Sequence, residues 1–293
     1  MVFRSTHVHD LHSLTFFFHL RLQVQDVQFI SDDVSVDLRQ NNITIVNLYG
    51  VEALAVGQTT GLVNPRHSKR NVRVLLEGNP LKCDCQIYEM IRYFENKLES
   101  EVYVFVTLVP GNLTCHSPDA LKGSRVTRVD SHHLMCDLDP ATYNCPKSCE
   151  CKLRRADWGL IVNCTEKNLT EIPVELPIVK YTNHTELFLN GNDIRTLPNS
   201  TFKGYENVTH LYLSNNRIEN IDTGLLSPKI QQLALDHNNL TKLGDNLIGF
   251  LSRSTEIKYL KLDNNPWSCE CSAKSFLELI QLKFKQVNLL IIP

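Results

Sequence analysis

The chain has no excess of either charge: 293 residues carry 30 Lys and Arg against 32 Asp and Glu, a formal net charge of -2. The basic field on which nucleic-acid binding depends is missing, so nucleic acid is not an expected partner. Long apolar runs are missing as well. LTFFFHL at 14–20 is interrupted by His19 and followed by no small-residue cleavage site, and FLELIQLKFKQVNLLIIP is broken by Glu278, Lys283 and Lys285. Neither reaches the roughly twenty apolar residues of a spanning helix. Both ends are read as breaks in a longer protein. P-loop, nucleophile-elbow and dinucleotide glycine patterns are absent. HVHDLH at 7–12 and the pair His132-His133 are the dense histidine groups, and neither has an acid or nucleophile at a recognisable spacing. They are read as solvated polar stretches, and the chain is expected to be no enzyme, with no cofactor and no small-molecule substrate.

Cysteine, by contrast, is abundant: ten residues, at 83, 85, 115 and 136, at 145, 149, 151 and 164, and at 269 and 271. The paired CxxC motifs of a zinc site are absent. Asn42, Asn112, Asn163, Asn168, Asn183, Asn199, Asn207 and Asn239 each begin an N-x-S/T triplet without Pro, where ordinary composition supplies about one or two. Sequons and cysteines together indicate a secretory, oxidising compartment, in which clustered cysteines form disulfides.

A frame LxxLxLxxNxL recurs between 185 and 267 as TELFLNGNDI, VTHLYLSNNRI, IQQLALDHNNL and IKYLKLDNNPW. Its LxL pairs are 187/189, 211/213, 233/235 and 260/262, at periods of 24, 22 and 27, within the 20–29 residues of a leucine-rich repeat. LxL puts two side chains on one face of a short strand, and parallel stacking joins those faces into a continuous core. Asn192, Asn216, Asn238 and Asn265 fall where the chain leaves the strand; there an amide satisfies backbone groups of the neighbouring coil, giving an asparagine ladder. Upstream, VDLRQNNI and VLLEGNPL supply weaker frames with Asn41 and Asn79. They lie 38 residues apart, too far for one unit, so the stretch between them is read as a loop insertion or a degenerate repeat. The expected fold is an α/β leucine-rich-repeat solenoid, one parallel strand per repeat on the concave face, with disulfide-stapled caps.

A solenoid exposes its core at each end and needs caps. GNPLKCDC at 78–85 and NNPWSCEC at 264–271 each place a Cys four residues after a ladder Asn, marking where an array stops. Cys-x-Cys at 83/85 with Cys115 and Cys136 resembles a leucine-rich-repeat C-terminal cap. The Cys-x3-Cys-x-Cys-x12-Cys pattern of 145–164 resembles the matching N-terminal cap. Spacing alone leaves three pairings open in each group of four. The order of array, C-cap, N-cap, second array and start of a second C-cap resembles the membrane-proximal part of an insect Toll-type receptor ectodomain. That resemblance implies Cys83–Cys115, Cys85–Cys136, Cys145–Cys151 and Cys149–Cys164, and leaves Cys269 and Cys271 unpaired by truncation. It divides the chain into 1–30 unassigned, 31–82 end of the first array, 83–140 C-terminal cap, 141–180 N-terminal cap, 181–268 second array of four repeats, and 269–293 truncated second C-terminal cap. It further implies a Spätzle-like cystine-knot cytokine and a second receptor chain as partners, on the extracellular side of the plasma membrane, in innate immunity or development. A secreted Slit-like adhesion or guidance protein, which also strings capped arrays together, is the alternative.

Repeat proteins bind through the concave strand face. Its outward positions supply Phe188, Tyr212, Ala234 and Lys261 in one row and Glu186, His210, Gln232 and Tyr259 in the next. Phe188 and Tyr212, with Tyr259, Lys261, Glu186 and His210, form the candidate binding face, since interfaces favour aromatics. Sugars on Asn183 and Asn207, which share a register before the strand, and on Asn42 and Asn239, which follow a ladder Asn, are expected on the flanks. The stripe read off the repeats carries no sequon.

Overall fold

Short strands with an apolar residue at alternate positions carry the first of two units, Met1–Cys136 and Asp137–Pro293. A computed structural model describes residues 20–23, 35–48, 72–268, 274, 278 and 279. In the first unit the strands are β1 Leu20–Gln23, β2 Ser35–Asp37, β3 Ile43–Asn47, β4 Val72–Leu75, β5 Leu81–Lys82, β6 Val106–Val109 and β7 Cys115–Ser117; β8 Met135–Asp137 spans the boundary between the units. β2, β4 and β6 form a parallel sheet with Val36, Val74 and Leu108 in register. The two weak frames, judged too far apart for one unit, are thus hydrogen-bonded neighbours. Thirty-eight residues close a single long coil, and residues 49–71 inside it lie outside the described residues. β1, in the stretch that shows no repeat register, pairs in parallel with β3.

Helices α1 Tyr88–Phe94 and α2 Ser100–Phe105 close over this sheet's core. Met90 and Ile91 of α1 are fully buried with Val72 and Leu76. The Tyr93 hydroxyl donates to Val106 O at 3.0 Å and accepts from Leu108 N at 3.3 Å, fastening α1 to β6. Cys83 is bonded to Cys115 and Cys85 to Cys136, closing separations of 32 and 51 residues. His132 and His133 are exposed in a short 3-10 turn capped by the Asp130 carboxylate, while HVHDLH lies outside the described residues.

In the second unit α3 Pro140–Tyr143 precedes a hairpin of β9 Glu150–Arg154 and β10 Gly159–Asn163. Disulfides Cys145–Cys151 and Cys149–Cys164 hold it. β10 then pairs in parallel with β11 His184–Phe188, followed in order by β12 Val208–Tyr212, β13 Gln232–Ala234 and β14 Tyr259–Lys261. The LxL leucines are all at or below 2% exposure, each burial contributing about 1.5–3 kcal/mol. On the far side of the coils, α4 Asp245–Arg253 points Leu247 and Leu251, one turn apart, into the same core. Leu279 is buried there too, whereas Cys269 and Cys271 lie outside the described residues.

The asparagines do the work that side chains of this type suit: buried backbone groups need partners, and one amide both donates and accepts. Asn216 accepts from Ile194 N at 3.1 Å and donates to Leu189 O at 2.9 Å and Leu213 O at 3.0 Å, so it ties its own coil to the one before. Asn192, Asn238 and Asn265 repeat the pattern in the second unit and Asn79 in the first. Asn41 differs from its expected ladder role: its amide donates to Arg39 O within its own turn, and among the described residues it ties no neighbouring coil.

Candidate functional site

The concave face of the second unit takes its rows from strand register. Phe188, Tyr212, Ala234 and Lys261 are successive partners, as are Glu186, His210, Gln232 and Tyr259. The rings of Phe188 and Tyr212 stack with centroids 4.6 Å apart and planes inclined by 17°. The Tyr212 hydroxyl donates to Gln232 at 2.9 Å, and burial raises its pKa. Tyr259 is in register with Gln232, one row from the stacked rings, and makes no stack with them.

The hairpin adds strands to this face that the repeat frame does not include. Gly159, Ile161 and Asn163 of β10 are register partners of His184, Glu186 and Phe188. The aromatic row therefore continues onto Asn163, an exposed sequon. The expectation of a stripe without a sequon fails because the cap hairpin joins the same sheet.

At the hairpin end, Arg154 donates to Asp157 Oδ2 and to Glu186 Oε1, both at 2.6 Å, and His184 Nε2 lies 3.4 Å from Glu186 Oε1. Burial alone raises the Glu186 carboxyl, but bonds from His184 and Arg154 outweigh it and hold the pKa at about 2. The hydrogen bond to Asp157 leads the forces that raise Arg154. His210, whose ring lies 5.9 Å from that of His184, is lowered by burial against the pull of the Glu186 carboxylate. A groove beside the network is lined by Asn183, Glu186, His210, Lys229 and Glu256. At the other end, Asp236 accepts from Ser214 Oγ at 2.5 Å and from Lys261 Nζ at 2.9 Å. Burial pushes its carboxyl up, but these bonds and one from His237 bring it below the ordinary value; Asp236 in turn raises Lys261.

Among the described residues, two sets of side chains gather possible metal-ligand atoms: Asp157, His184 and Glu186, and Asp236, His237 and Asp263, each with those atoms within 4.8 Å of one another. A metal ion entering either must displace a resident cation, Arg154 or Lys261. Both sets therefore act first as ion-pair networks, each holding two carboxylates around one resident cation. Of the sequon residues, Asn42, Asn112, Asn163, Asn168, Asn183, Asn199 and Asn239 are exposed and Asn207 is half-buried. Arg154, Asp157 and His184 lie outside the repeat frame; the only signal for them was charge beside the strand-like GLIVN.

Residues 182–240 match the family description "Leucine rich repeat" and residues 144–177 "Leucine rich repeat N-terminal domain". Protein toll of Drosophila melanogaster is 31% identical over 272 residues, covering 91% of this chain and 24% of that protein. Along nearly its whole length the chain is therefore similar to part of a Toll protein. Its structure matches a chain of the Toll–Spatzle complex from Drosophila with a TM-score of 0.73 and 29% identity, over 91% of this chain and 34% of that one. Leucine-rich repeat-containing protein 3 of Danio rerio is 33% identical over 154 residues, covering 52% of this chain and 54% of that protein. The chain thus spans about a quarter of Protein toll and about half of the fish relative.

Proposed function

We propose that this chain is the extracellular ligand-recognition and dimerisation portion of a Toll-like transmembrane signalling receptor, acting in innate immunity or development by non-catalytic protein binding. The partners are a Spätzle-like cystine-knot cytokine and a second receptor chain. The observation that carries the reading is the stacked Phe188–Tyr212 pair on a concave face rimmed by Lys261 and Glu186, in a chain similar to Protein toll along 91% of its length. Packed aromatic anchors within a ring of contacts that excludes water are what protein-recognition sites select. The relatives are leucine-rich-repeat proteins, and a scaffold whose polar groups are spent on ion pairs and coil-to-coil bonds suits holding a partner rather than turning over a substrate.

The test is cytokine binding and pairing by a secreted ectodomain that includes this chain, measured by surface plasmon resonance and analytical ultracentrifugation. Tyr212→Ala is expected to weaken cytokine affinity or pairing by about thirtyfold, the effect of losing a hot-spot side chain. Wild-type affinity and stoichiometry in Tyr212→Ala, Lys261→Glu and Glu186→Gln alike refute this face as the recognition site.

A further inference from the structure

We propose that Asn163 carries an N-linked glycan whose first N-acetylglucosamine packs on the Phe188 ring, so that the chain's own sugar occupies one end of the concave aromatic stripe. Asn163 and Phe188 are register partners on adjacent parallel strands, about 4.8 Å apart, and side chains in register emerge on the same face. The sequon is Asn163-Cys164-Thr165. Asn163 Oδ1 accepts from Thr165 N at 3.0 Å, which leaves Nδ2, the atom that bonds to the sugar, without a hydrogen-bond partner among the described residues. The same atom of Asn183 is engaged with Asp157 O at 3.1 Å, and Asn207 is tethered through Oδ1 by Lys229 at 2.8 Å.

Phe188 supplies the receiving surface. One face of its ring lies against Tyr212 on the β12 side, and the opposite face looks toward β10, where Asn163 is its row neighbour. An aromatic face carries partial negative charge, and the electropositive axial C–H bonds of a pyranose pack onto it as the edge of another ring does. The order along the row becomes sugar, Phe188, Tyr212. Attachment forms the Nδ2–C1 bond as the C1–O bond to a lipid-linked oligosaccharide pyrophosphate breaks, releasing the lipid pyrophosphate and one amide proton. The proposal requires passage through the secretory pathway, which the disulfides require too, and it does not depend on the identity of the protein partner. It leaves Tyr212, Gln232, Tyr259 and Lys261 as the part of the face open to that partner.

The experiment uses the whole chain secreted from insect cells with labelled N-acetylglucosamine, with glycans trimmed enzymatically to a single residue. Peptide mapping reads occupancy at Asn163, and NMR reads the protons of the sugar attached there. Occupancy with an upfield ring-current shift that disappears in Phe188→Leu is expected. Thr165→Val, which removes the sequon but keeps Asn163, is expected to lower Tm by about 2–4 °C, the shift for loss of one aromatic contact, and to cost no further shift in a Phe188→Leu background. Asn163→Gln serves as the second sequon variant if Thr165→Val is poorly secreted. An unmodified Asn163 beside occupied neighbouring sequons overturns the proposal. So does an occupied Asn163 whose sugar protons are unshifted, or an equal Tm loss in both Phe188 backgrounds.

Discussion

Replacing Asn216 with Ala tests the ladder where it is most enclosed. Asn216 is 7% exposed and lies between the coils of Asn192 and Asn238. The substitution leaves Ile194 N without a side-chain partner and removes one of two amide donors from Leu189 O and Leu213 O, which keep those of Asn192 and Asn238. A buried polar group stripped of its partner costs about 1–3 kcal/mol. One such group, with about 0.5–1 kcal/mol for each of the two carbonyls that keeps a second donor, gives about 2–5 kcal/mol, a large fraction of the 5–15 kcal/mol that ordinarily separates folded from unfolded domains. With a urea slope of about 3 kcal/mol per molar, the midpoint of the transition falls by about 0.7–1.7 M under non-reducing conditions. The control is Asn41→Ala, which loses only a bond within its own turn and is expected to shift the midpoint by less than a quarter of that. Equal, small shifts in the two variants refute the ladder as the tie between coils and leave burial of the leucines as the sole source of cohesion.

The hairpin network gives a pH prediction. Glu186 titrates near 2 instead of 4.5, so its contribution is complete above about pH 4.5 and is lost as pH falls toward 2. At about 1.36 kcal/mol per pH unit this amounts to about 3 kcal/mol. Glu186→Gln is expected to flatten the acid limb of stability in that window, measured as urea midpoint against pH, and an unchanged limb refutes the assignment. Removing Cys85–Cys136, which closes 51 residues, is expected to cost about 4 kcal/mol, and removing Cys149–Cys164, which closes 15, about 3 kcal/mol. The reverse order under non-reducing denaturation contradicts the loop-entropy account. Gly204 has φ of +90° and its missing Cβ would stand 2.6 Å from Leu176 O, so Gly204→Ala is expected to lower Tm by several degrees, and an unchanged Tm counts against that strain.

The repeat coils were legible because one periodicity carries several requirements at once. Leu187 and Leu189 must face the core, Asn192 must turn back to the neighbouring coil, and the three keep fixed offsets in each later coil. The cap hairpin hides its place in the sheet. Leu160, Ile161 and Val162 are all apolar and all buried, so the run gives no alternation from which to read two faces. Yet Val162 is the register partner of Leu187, 25 residues on, which is a repeat period. What identified the strand was pairing across the sheet, a non-local fact that no local pattern contains. The long first coil was obscured differently: Val36 and Val74 are direct partners, but a coil of 38 residues breaks the period that reveals the others.

This hidden strand changes what the concave face is. From the repeats alone the face is an aromatic stripe with scattered charge, open along its length. With β10 in place, Glu186 no longer presents a bare carboxylate, because Arg154 neutralises it from the hairpin at 2.6 Å. At the far end Asp236 is neutralised by Lys261 in the same way. Charges already paired at close range contribute little further attraction to a partner, since binding must first break or desolvate the existing pair. Recognition on this surface therefore falls to the half-buried rings and the amides between the two networks. Substitutions at Tyr212 are expected to act through dissociation rate, while salt concentration alters association only weakly. A steep loss of association rate with salt, undiminished in Tyr212→Ala, means that the recognising charges lie elsewhere in the receptor.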